Sequence, residues 1–67
     1  MTRKDYRMIA RIINKQYRAA DALDTPERRA RAKSVVFSIA YDLGAELKAD
    51  NARFDVSRFD AACFDLE

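Results

Sequence analysis

Apolar side chains return along this chain at intervals of three, four or seven residues, and hardly ever in alternation with polar ones. Spacing near 3.6 marks one face of an α-helix and alternation marks a strand, so the pattern predicts helix nearly throughout. Tyr6, Ile9, Ile13, Ala20 and Leu23 form a first stripe, flanked by Ile12 and Tyr17. Ala32, Val36, Ile39, Ala40, Leu43 and Leu47 form a second, with Val35 beside it. Val56, Phe59, Ala62, Cys63 and Leu66 form a shorter third.

The breaks between stripes carry the chemistry of helix ends. Thr2 can cap free backbone N–H groups, with Asp5 three residues on as the reciprocal acid of a capping box. In "DALDTPER" the first stripe stops; Thr25 suits an N-cap, Pro26 the first helical position, and Glu27 the positive end of the helix dipole. Asp50-Asn51 reads as a terminator and Asp55 as a third N-cap, which places Phe54 and Phe59 at the two positions of a hydrophobic staple. The predicted helices cover about residues 3–23, 26–50 and 56–65. Two long amphipathic helices joined by a short connection become antiparallel neighbours. The expected fold is therefore all-α and one domain: a long antiparallel helical hairpin closed by a short C-terminal third helix. Two positions strain the pattern. Gly44 interrupts the second helix and fits best where another backbone comes close. Phe64 points away from the Phe59 side of the third helix and is expected at the surface.

Composition limits the means of stabilising this fold. A chain of 67 residues buries only about 60% of its unfolded surface, and domains of that size are marginal. One cysteine and no histidine exclude an intramolecular disulfide and the usual Cys/His zinc clusters. Packing has to come from the helices, with or without a second copy. The lone cysteine points to a reducing compartment. No apolar run approaches the roughly 20 residues of a membrane span, and polar residues interrupt "MTRKDYRMIARIINKQYR" too often for a signal peptide. A cytoplasmic location is expected.

Charge changes the picture more. Residues 1–34 hold ten Lys or Arg against four Asp or Glu, and residues 35–67 hold three against seven, so a net +2 hides a polarised chain. Lys4, Arg7, Arg11, Lys15 and Arg18 recur at helical spacing as a basic stripe opposite Ile9 and Ile13. Arg28, Arg29, Arg31 and Lys33 make a second cluster. Any amphipathic helix has a charged face. A face of one sign forgoes the helix-stabilising pairs that mixed signs provide, and suits a phosphate backbone. For reading bases, Asn14 and Arg11 are the suggestive pair. The first helix is basic and amphipathic as peripheral membrane helices are, but its Ile, Tyr and Ala face suits a partner helix, so no membrane role is expected.

Catalysis finds little equipment here. There is no histidine for acid–base work and no Gly-rich phosphate loop. Cys63, on the apolar side of a short helix, reads as a small core residue rather than a nucleophile. Asp42 and Glu46, four apart, read as a solvated face. A non-enzyme without cofactor or metal is expected. Phe37 and Tyr41, off the main stripe of the second helix, either receive the third helix or, with Phe64, form an aromatic anchor for a partner.

The two ends of the chain, "MTRKDY" followed by "IA", and "ADNARFDVSRFDAAC", resemble small, mostly uncharacterised helical proteins encoded by bacteriophages. The resemblance covers about a third of the chain, and Phe64 with "DLE" replaces the Gly that commonly follows the family's cysteine. It implies a phage origin and a small helical fold, and transfers no functional residue. Together these features predict an accessory binding module that modulates, by inhibition, a host macromolecule in the bacterial cytoplasm, first of all a protein. The alternatives are a nucleic-acid-binding regulator using the basic stripe and a self-associating structural protein.

Overall fold

The structure, a computed structural model, describes residues 2–66 and is all-helical. Helix α1 spans Arg3–Asp21, α2 spans Pro26–Asp50 and α3 spans Val56–Phe64. The three N-caps lie where their chemistry suggested. The Thr2 N–H donates to Asp5 Oδ2 at 3.0 Å and the Asp5 N–H to Thr2 Oγ1 at 3.4 Å, closing the capping box. The Arg28 N–H reaches Thr25 Oγ1 and the Arg58 N–H reaches Asp55 Oδ1, each at 3.1 Å. Such caps satisfy backbone donors that have no partner within the helix.

Every pair of helices is in contact. The extents of 39 × 18 × 18 Å follow from α2, whose 25 residues span about 37 Å at 1.5 Å rise per residue. Specific contacts join α1 to the chain that follows it. Asp21 pairs with Lys33 at the connection, the Tyr17 and Phe37 rings are 5.7 Å apart, and Asn51 Nδ2 donates to the Tyr6 hydroxyl at 3.4 Å. The core is small: Ala10, Ile13, Ala40, Leu47, Phe54, Phe59, Cys63 and Phe64 are buried as one cluster. Ala10 and Ala40, at 2% and 0% exposure, are closed off from solvent.

Several expectations need correction. Phe64 is buried at 7% exposure, not at the surface. It closes against Tyr17 and Phe37, with ring centroids 5.3 and 4.5 Å away, because α3 lies in contact with both longer helices. Leu23 falls in the turn, since α1 ends at Asp21, and is 39% exposed. Leu66 lies beyond Asp65, whose left-handed backbone (φ 54°) ends α3, so helical spacing no longer aims it inward and it is 68% exposed. Ile39 is 56% exposed, because α3 contacts the side of α2 that carries Phe37 and Gly44. Ala62 is exposed as well. Gly44 is buried, but what approaches it is not backbone: a Cβ there would meet Phe59 Cδ2 and Val56 Cγ1, both at 3.8 Å.

Candidate anion-binding face

The α1 stripe is exposed along its whole length, with Lys4, Arg7, Arg11, Lys15 and Arg18 all open to solvent. Residues four apart on a helix are separated by about 6 Å along its axis, so the stripe is a row of cations rather than a point. Among the described residues the ion pairs are Arg18–Asp65, Arg28–Asp24 and Lys33–Asp21. Four of the five stripe residues therefore have no carboxylate partner among the described residues. Arg18 is the exception: it donates from Nε to Asn14 Oδ1 at 2.9 Å and pairs with Asp65 at 3.2 Å.

Asn14 is committed too. Its Nδ2 donates to the Cys63 carbonyl at 2.9 Å and to Asp65 Oδ2 at 3.1 Å, which ties α1 to the end of α3. This overturns the expectation of an Asn14–Arg11 base-reading pair and leaves Arg11 alone. The second basic cluster is likewise put to structural use. Arg28 pairs with Asp24, Arg29 Nη1 donates to the Leu23 carbonyl at 2.8 Å, and Lys33 pairs with Asp21 while lying 5.6 Å from the centre of the Tyr17 ring. All three hold the connection between α1 and α2. Arg31 alone of the four is left exposed without such a partner.

Folding adds cations that the sequence had kept far apart. Arg3 and Arg7 of α1 line an open cleft of about 710 Å³ together with Arg53 and Arg58 from the acidic half of the chain. All four are exposed and none is in an ion pair among the described residues. Its lining includes Tyr6, Phe54 and Phe59, tilted rings with centroids 4.6 and 5.4 Å apart along the series. Asp55 also lines the cleft, but its carboxylate accepts from the Arg58 N–H as the α3 cap. Four arginines against that one carboxylate leave the cleft net positive, and such a field draws anions. The signal for Arg53 and Arg58 was present in "ARFDVSRFD" as two arginines five apart. Only their approach to Arg3 and Arg7 gives them a shared role.

The comparisons with known proteins add no assignment. No family model matches this chain, and no curated protein or solved structure does. Its chemistry is read from its own side chains.

Elsewhere the surface offers less. Phe37 is 38% exposed but engaged with Tyr17 and Phe64, so of the three candidate anchor aromatics only Tyr41, at 72%, stands free. It borders a shallow hollow with Ser34 and Ser38. Cys63 is fully buried, and burial, with a smaller contribution from the charge of Asp60, pushes its thiol up to about 11. At neutral pH the group is a protonated thiol in the core. No group of three or more metal-ligating side chains occurs among the described residues, and no helix there is long and apolar enough to cross a membrane.

Proposed function

We propose that this chain is a non-catalytic binding module whose partner is a nucleic acid, held through its phosphate backbone. The observation that carries the reading is the continuity of uncompensated cations: Lys4, Arg7, Arg11 and Lys15 along α1, with Arg3, Arg53 and Arg58 beside them around the cleft. The scaffold, on this reading, is an antiparallel hairpin of α1 and α2 closed by α3. The Asp21–Lys33, Tyr17–Phe37 and Tyr6–Asn51 contacts support that topology. A small phage accessory protein acting on its host's nucleic acid in the bacterial cytoplasm fits the resemblance of its two chain ends.

Backbone contacts set affinity and salt dependence, whereas base contacts set specificity. With Asn14 engaged elsewhere, binding should discriminate little between sequences. The experiment is retention on duplex DNA and RNA across a salt series. The expected slope of log affinity against log salt is about −0.9 per phosphate contacted on B-form DNA. Arg7→Glu with Arg11→Glu should abolish retention and leave helicity unchanged, both side chains being exposed and without ion-pair partners among the described residues. Arg3→Ala with Arg58→Ala should weaken binding and flatten the slope by about one per lost contact. Unchanged retention in the charge-reversed protein would sink this reading.

A host-protein partner is the second reading, favoured by Tyr41, 72% exposed beside its hollow. Capture from a bacterial lysate that survives nuclease and is lost with Tyr41→Ala would select it.

A further inference from the structure

The outer side of α2 carries a second stripe that the monomer leaves uncovered. Arg28, Ala32, Val35, Ile39, Asp42 and Glu46 follow one another at steps of four and three, the spacing of a helix-pairing seam. Val35 and Ile39 at its centre are 58% and 56% exposed. The charges on either side are sorted by sign: Arg28 and Arg31 precede the apolar centre, and Asp42 and Glu46 follow it. Among the described residues Arg31, Asp42 and Glu46 have no ion-pair partner, and the Arg28–Asp24 pair is solvent-exposed.

We propose that this face binds a second copy of the chain, α2 against α2 in antiparallel register, to form a two-fold symmetric dimer. In an antiparallel pair, one register places Val35 against Ile39 of the second copy. That same register sets Arg28 opposite Glu46 and Arg31 beside Asp42. Two-fold symmetry then repeats each pairing, so one choice of register buries the apolar centre and matches four pairs of opposite charge. A parallel pairing would set like charges against each other along the whole seam. Sorted charges around an apolar centre thus specify both the occupant and its direction. The surface is separate from the α1 stripe and the arginine cleft, so the dimer stands whether or not nucleic acid is the ligand.

The test is sedimentation of the full chain over a concentration series at low salt. The mass should rise from 7.7 kDa towards twice that value, and added salt should lower it. Ile39→Glu should raise the dimer dissociation constant about tenfold or more, since symmetry removes the side chain from the seam twice. Circular dichroism of this variant should match the parent, because Ile39 is a surface residue of the monomer. Arg28→Glu and Glu46→Arg should each weaken association, and the double swap should restore it by re-forming the pair with reversed sign. A protein that stays monomeric throughout overturns the proposal. So does a dimer indifferent to Ile39→Glu, or a double swap no stronger than the single changes.

Discussion

Two aromatic clusters flank α3, and they were built in different ways. At its start Tyr6, Phe54 and Phe59 pack as tilted rings with centroids 4.6 and 5.4 Å apart. At its end Tyr17, Phe37 and Phe64 form a closed triangle of 5.7, 5.3 and 4.5 Å. The first cluster is seeded locally, because a staple brings Phe54 and Phe59 together whenever Asp55 caps the helix. The second takes one ring from each of three helices, so no local rule announces it. The difference shows that a residue out of step with its own helix can still be core when the opposing surface comes from elsewhere in the chain.

Removing α3 tests both clusters at once and should have the largest effect. Truncation after Asn51 deletes Phe54, Phe59, Cys63 and Phe64, with every buried aromatic of the described residues among them. Only Ala10, Ile13, Ala40 and Leu47 would remain of the core cluster, and two of these four are alanines. The truncated chain should show no cooperative thermal melt; a melt at the parent temperature would make α3 an appendage.

Single substitutions weigh the clusters against each other. Phe59→Ala and Phe64→Ala should each cost about 3–5 kcal/mol in denaturant unfolding, whereas Tyr41→Ala should stay within about 0.5 kcal/mol. A near-neutral Phe64→Ala would return that ring to the surface and break the comparison. Gly44→Ala acts near the first cluster with the opposite sign. Its added Cβ would meet Phe59 and Val56 at ordinary contact distance, and the relief of glycine's cost in a helix should stabilise the protein by about 1 kcal/mol.

The smallest effect concerns the clasp beyond the second cluster. Hydrogen bonding from Asn14, reinforced by the Arg18 charge, holds the Asp65 carboxyl below its ordinary value, and Lys33 does the same for Asp21. A lowered folded-state value means stability that is present above the unfolded value and lost as pH falls through the folded one. A modest decline in melting temperature below about pH 4 should therefore be shallower in Asp65→Asn, which keeps a hydrogen-bond acceptor and tolerates the left-handed backbone. Asp60, raised by burial, works in the opposite direction, as its ionisation favours the unfolded chain. An identical acid limb in Asp65→Asn would remove the clasp from the account.

Helix type and all three N-caps were legible in the chain because both depend on neighbours within four residues. Thr2, Thr25 and Asp55 act on the N–H groups of their own first turns, and apolar spacing reports a helical face before any partner is known. The candidate site was legible by half. The α1 stripe is a property of one helix, whereas Arg53 and Arg58 join it only through the docking of α3. Residues near helix ends misled for a related reason: the spacing rule was carried through Leu23 and Leu66 after the helix itself had stopped.

By itself, then, the sequence determined three helices, their caps, the staple and a basic face, since each of these energies is local. Tertiary structure alone decided that Phe64 is core, that three of the four cations in the second cluster hold a turn, and that four distant arginines share a cleft. It also decided which side of α2 stays uncovered. Those outcomes depend on which surfaces meet, and the apolar stripe of α2 was wide enough to present more than one.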